Sequence, residues 1–106
     1  MIDEQTLEQT VQHIVEAAKP SRVILFGSYG RDEADENSDL DLMIIQPHVE
    51  NQIEEMVYLR QILGSMGIGI DLLVYSEAEY KRRSRVPGTV HYWARREGKT
   101  LYEAAY

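Results

Sequence analysis

Apolar residues recur every three to four positions through Leu7, Val11, Ile14, Val15 and Ala18, the spacing that places side chains on one face of a helix. A first helix is therefore predicted over about residues 3–18, with Asp3 as its N-cap and Pro20 as its stop. The pattern then changes. Arg22-Val-Ile-Leu-Phe26 is a short apolar run that reads as a buried strand. Gly27-Ser28 ends that strand, and Ser28-Tyr29-Gly30-Arg31 reads as a short helical turn. The stretch from Asp32 to Ser38 is too polar to bury and reads as a loop. A second strand is predicted over 39–45, closed by Pro47. A second amphipathic helix is predicted over about 50–64, with Ile53, Met56, Val57, Arg60 and Leu63 on or beside its inner face. Gly64, Gly67 and Gly69 mark the turn out of it.

The third strand is Ile70-Asp-Leu-Leu-Val-Tyr75. Ser76 can cap a short helix through about Arg83. Pro87 stands where a last helix could start, Val90, Trp93 and Ala94 give that helix an apolar side, and Gly98 is its stop. Leu101-Tyr102 is expected to pack back onto the body. The elements predict an α/β (α+β) fold: a small three-stranded mixed sheet with helices against it. At 106 residues, one domain spanning 1–106 is expected.

Composition narrows the function classes. Apolar residues make up 43% and charged residues 27%, an ordinary globular mixture that argues against disorder. The apolar runs fall short of the ~20 residues a membrane helix needs. The absence of cysteine excludes disulfides, thiolate metal sites and a cysteine nucleophile. Met1-Ile2-Asp3-Glu4 shows no signal-peptide pattern, and a cytoplasmic protein is expected. A net charge of −7 disfavours direct nucleic-acid binding. The charges are segregated, however. Six acids lie between residues 32 and 41, and seven of the eleven basic residues lie between 81 and 99.

The acids carry the candidate chemistry. Side chains alternate along a strand, so Asp39 and Asp41 share a face, about 7 Å apart, while Leu40 and Leu42 point into the core. Two such carboxylates make a hard-oxygen site suited to Mg²⁺. Asp71, set among Ile70, Leu72, Leu73 and Val74, must be partnered, at a strand edge or on a metal. If strands two and three are neighbours, the three carboxylates converge, and three like charges in one place call for cations. Two Mg²⁺ about 3.5–4 Å apart would suit in-line attack on an α-phosphorus with pyrophosphate leaving. In this reading Asp39 and Asp41 bind both metals. Asp71 binds the metal that holds the acceptor hydroxyl and can accept its proton. Gly27 lets the backbone approach phosphates, Ser28 adds a hydroxyl, and Arg31 either contacts phosphate or holds the acidic loop.

Competing readings are weaker. Asp35-Glu-Asn-Ser-Asp39 begins like an EF-hand loop but has Leu40 in place of the glycine and Gln46 in place of the final glutamate. No Gly-Lys-Ser/Thr of a P-loop occurs. The chain is short for a sugar-nucleotide transferase domain. His13, His48 and His91 show no ligand spacing and read as surface or cap residues. Ser28 has no His or Lys base set beside it, so it reads as a phosphate binder and not a nucleophile. Tyr92 and Trp93 read as core and partial surface in preference to a base-stacking platform. The Lys81-Arg82-Arg83-Arg85 cluster fits a solvated helix face as well as it fits a site for a triphosphate tail, RNA or an acidic partner.

Phe26-Gly27-Ser28-Tyr29-Gly30-Arg31 followed by Ser38-Asp39-Leu40-Asp41-Leu42 resembles the signature of polymerase β-like nucleotidyltransferases. The resemblance is strongest to the minimal nucleotidyltransferases often encoded beside a HEPN-domain partner. It extends through Asp71 to the ending Gly98-Lys99-Thr100-Leu101-Tyr102. One departure is Asp32, where the family often has glycine after the arginine. The resemblance implies a polymerase β-like nucleotidyltransferase core, Mg²⁺, and ATP as the substrate. It also implies a HEPN-domain toxin as the partner that carries the acceptor, with this chain as its antitoxin. The expected reaction is AMP transfer to a hydroxyl, a tyrosine, on that partner. A non-catalytic antitoxin that covers its partner, or transfer to a small hydroxyl compound, are the alternatives.

Overall fold

The computed structural model describes residues 2–64 and 69–105. Helix α1 (Glu4–Ala18) starts as its cap dictates, with the Asp3 side chain accepting a hydrogen bond from the Thr6 N–H at 2.7 Å. It ends on Lys19 in the left-handed conformation, followed by buried Pro20. Strand β1 (Arg22–Phe26) leads into the one-turn helix α2 (Gly27–Gly30). After the acidic loop come β2 (Leu40–Gln46), α3 (Gln52–Leu63) and β3 (Ile70–Ser76). Helices α4 (Glu77–Arg83) and α5 (Val90–Glu97) and strand β4 (Lys99–Glu103) complete the order.

The sheet has four strands in the order β3-β2-β1-β4. β2 and β3 are parallel and joined through α3, whereas β1 is antiparallel to both β2 and β4. The fourth strand is the addition to the three-stranded expectation. Leu101-Tyr102 does return to the body, but as backbone pairing along β1 rather than side-chain packing alone. Only its middle residues favour a strand by type, so this pairing depends on the open edge of β1.

Strand alternation divides the core in two. Val11, Ile14 and Leu59, from α1 and α3, pack on Val23, Leu25, Leu40, Leu42, Ile44, Leu72 and Val74. Tyr80 and Ala94, from α4 and α5, pack on Ile24, Met43 and Ile45 on the other face. β2 is thus buried on both sides, which is why it reads as a near-continuous apolar run.

Two helical faces differ from the periodicity reading. In α3 the buried residue is Leu59, with Met56 and Leu63 packed beside it, while Ile53 is 72% and Val57 48% exposed. Apolar residues lie on more than one side of this helix, so spacing alone could not choose the inward one. In α5, Thr89 and not Pro87 marks the start, its hydroxyl accepting from Tyr92 N–H. His91 and Ala94 turn inward and Trp93 turns out, 46% exposed. Gly64 ends α3 with φ +62, and Gly67, expected in the same turn, lies outside the described residues. No described helix is long and apolar enough to cross a membrane.

Candidate functional site

The sheet brings the singled-out residues to one of its ends. β1 finishes at Phe26, and the chain turns at Gly27, φ +67, into α2. Phe26 is the register partner of Asp41 on β2, and Asp41 is the register partner of Asp71 on β3. Alternation then puts Asp41 and Asp71 on the same face as Met43, Ile45, Leu73 and Tyr75, the face covered by α4 and α5. Asp71 lies at the outer edge of the sheet and is exposed. Asp39, one residue before β2, is exposed as well, whereas Asp41 is half-buried.

Two glycines make room for the acids. A Cβ on Gly27 would collide with Asp41 Oδ2 and come within 3.0 Å of its Cγ. A Cβ on Gly69 would collide with Asp39 Oδ1 and come within 2.9 Å of its Cγ. Gly27 therefore serves the carboxylates directly, in addition to the phosphate approach its sequence context suggests. Gly69 was legible only as a turn residue. Its second role follows from strand pairing, since Gly69 C=O accepts from Leu40 N–H at 2.8 Å beside Asp39.

The electrostatics follow from this crowding. Burial, then the charge of Asp71 and a hydrogen bond with it, then the charge of Asp39, push the Asp41 carboxyl up to about 6. Arg31 opposes them. A half-buried acid raised by two neighbouring acids is a site short of positive charge, and a divalent cation with hard-oxygen preference would supply it. Among the described residues, no group of three or more acid or histidine side chains stands placed to hold a metal ion. The donor set fits Mg²⁺ by its chemistry: carboxylate oxygens at an end of the sheet that opens to water.

The phosphate-side residues are placed differently from one another. Gly27 and half-buried Ser28 open α2, where the first N–H groups of a helix have no partner within it. Arg31 faces acids: its Nε lies 3.3 Å from Glu33 and its Nη1 3.7 Å from Glu97. Of the two readings of Arg31, holding the acidic loop is the one with contacts behind it. Asp32, the departure from the family pattern, adopts φ +58, a left-handed turn that glycine would take freely. Its carboxylate is held by the Lys99 ammonium at the start of β4. The turn is thus retained, and the extra charge is paired.

Other candidates fall elsewhere. Of the basic cluster, Lys81 and Arg85 lie toward the opposite end of β1, where with Arg22 and Arg95 they line a cavity of about 180 Å³ together with Glu77, Tyr80 and Ser84. A triphosphate tail seated at Gly27 would not lie there. His91 is not a surface or cap residue: it is buried, 2% exposed, with its ring centroid 4.0 Å from that of Tyr75. Burial lowers its pKa, with Glu79 acting the other way. A second cavity, about 460 Å³, adjoins the carboxylate end of the sheet and is lined by Phe26, Gly27, Arg31, Trp93 and Glu97.

Comparison with known proteins bears on the family and the fold. The nucleotidyltransferase domain family matches residues 6–104. No curated protein matches the chain. Among solved structures, a nucleotidyltransferase from Sulfolobus solfataricus superposes with a TM-score of 0.60 at 22% identity, covering 92% of this chain and 86% of that one. A toxin–antitoxin structure with AMP-PNP gives 0.55 at 19% identity, covering 92% of this chain and 73% of the other. A mutant of the toxin–antitoxin MntA–HpeT gives 0.59 at 19% identity, covering 98% and 75%. At these identities the likeness is one of fold.

Proposed function

The chain belongs to the nucleotidyltransferase domain family, and from that premise we propose that it transfers AMP from ATP to a tyrosine hydroxyl on a HEPN-domain toxin, acting in the cytoplasm as its antitoxin. The observation that carries the reading is the meeting of Asp41 with Asp71 and Asp39 beside Gly27. Gly27 and Ser28 hold the triphosphate through backbone N–H groups and a hydroxyl. Asp39, Asp41 and Asp71 are the residues that would hold Mg²⁺, two ions in this reading. Bound there, the ions would neutralise the carboxylate cluster and the charge developing on the α-phosphate. The acceptor oxygen attacks the α-phosphorus, the bond to the bridging oxygen breaks, and pyrophosphate leaves. Asp71, exposed at the sheet edge, takes the hydroxyl proton.

The protein acceptor is supported by exposure and by likeness. Asp39 and Asp71 face water, so a hydroxyl carried on another protein can reach them. Two of the similar structures are toxin–antitoxin assemblies, one with AMP-PNP. The test is to co-express the chain with its neighbouring helical partner and incubate the pair with ATP and Mg²⁺. Partner mass should rise by one AMP, at a tyrosine. Asp39→Asn and Asp41→Asn should abolish the adduct and the protection from toxicity together. Protection that survives both substitutions would favour neutralisation by binding alone, and adducts only on small hydroxyl compounds would overturn the protein acceptor.

A further inference from the structure

We propose that the open cavity beside Gly27 receives the nucleobase of the nucleotide, with Trp93 as its stacking surface and Phe26 as its floor. The proposal rests on the nucleotidyltransferase reading above and names the subsite that reading leaves unassigned. The cavity, about 460 Å³, has the size of a small-molecule site, roughly 300–1,000 Å³. It shares Gly27 with the catalytic corner, so a ligand with phosphates at Gly27 has its other end beside this pocket. It also lies on the correct side of the sheet: Phe26 packs with the cluster under α4 and α5, the face on which Asp41 and Asp71 project.

Trp93 is suited to the task by what it does not do in the fold. Its neighbours His91 and Ala94 face the core, while its indole stays 46% exposed. A large apolar ring left in water beside a cavity gains from a flat partner. Tyr92 meets the indole edge-on, ring centroids 5.2 Å apart at 84°, which limits its orientation. The wall that carries it is tied to the catalytic corner. At the end of α5 a Cβ on Gly98 would come within 2.9 Å of Leu25 C=O, so helix and β1 touch through backbone. Glu97 adds an acceptor to the lining, its Oε2 3.7 Å from Arg31 Nη1. That favours bases with an exocyclic amino group, adenine before uracil.

Trp93 is the sole tryptophan of the chain, so its fluorescence reports this pocket alone. ATP and inorganic tripolyphosphate, each with Mg²⁺, are the probes. ATP should quench the indole and shield it from acrylamide, and UTP should bind more weakly than ATP. Tripolyphosphate should bind, by calorimetry, without shielding the indole. Trp93→Ala should weaken ATP roughly ten- to hundred-fold and leave tripolyphosphate binding unchanged, and Trp93→Phe should recover part of the loss. Equal ATP affinity in Trp93→Ala and the parent would overturn the base pocket while leaving the transferase reading intact. Equal loss of ATP and tripolyphosphate in Trp93→Ala would overturn it in favour of a structural role. Failure of the parent protein to bind either probe would overturn both.

Discussion

Gly27→Ala tests the link between the glycine corner and the acids most directly. Two costs can be separated. The residue sits at φ +67, where a Cβ costs roughly 1–2 kcal/mol. The same Cβ collides with Asp41 Oδ2, so the carboxylate must leave its rotamer, at roughly 0.5–1.5 kcal/mol. Together they make a loss of about 1.5–3.5 kcal/mol, which a domain of this size can survive. The functional cost is larger in kind, because Asp41 is moved away from Asp71 and Asp39. Gly64→Ala is the control: its φ is +62, yet nothing lies within 4 Å of the added Cβ. Urea unfolding should show both variants folded and destabilised. Mg²⁺-dependent ATP binding, followed by calorimetry, should be lost in Gly27→Ala and kept in Gly64→Ala. A Gly27→Ala protein that binds Mg²⁺ and ATP like the parent would refute the claim that this glycine exists to seat Asp41.

Three further outcomes follow from particular contacts. Asp41 is held near 6, above its ordinary 3.8, so the native state binds this proton more tightly than the unfolded chain. Its charged form therefore lowers stability, an effect that appears as pH rises through that window and is absent below it. Without Mg²⁺, Asp41→Asn should melt above the parent at pH 8 and level with it at pH 4, and added Mg²⁺ should stabilise only the parent; equal melting at pH 8 would contradict the charge crowding. Gly98→Ala should cost roughly 1–3 kcal/mol through overpacking. Its Cβ would lie 2.7 Å from Ile24 Cγ2 and 2.9 Å from Leu25 C=O, and an unchanged denaturation midpoint would deny that close approach. Asp32→Gly relieves a left-handed turn but loses the Lys99 ion pair. The gain and loss are each about 1 kcal/mol or less, so stability should stay within ~1 kcal/mol of the parent. A melting curve far below it would mean that the ion pair, and not the turn, holds the loop.

Much of this protein was legible in local sequence. Helix α1 announced itself through a regular apolar stripe and a capping Asp3, and the structure uses both. The three main strands, the glycine–serine turn and the pairing of Asp39 with Asp41 could be read because alternation and turn chemistry act over a few residues. The sequence by itself therefore determined which acids and which corner are the candidates for the chemistry. Other features needed the fold. Strand β4 exists because β1 has an open edge, and the inward sides of α3 and α5 depend on where those helices land. Periodicity defines that a helix has faces but not which of two apolar ones meets the sheet. That is why Val57, which spacing puts on or beside the inner face of α3, and Trp93, which it puts on the apolar side of α5, lie outward, while His91 lies within. The juxtaposition of Asp71 with Asp41, and of Gly69 with Asp39, likewise rests on the register of parallel β2 and β3, a contact across some thirty positions of chain that burial of Leu72 and Val74 fixes and no local pattern encodes.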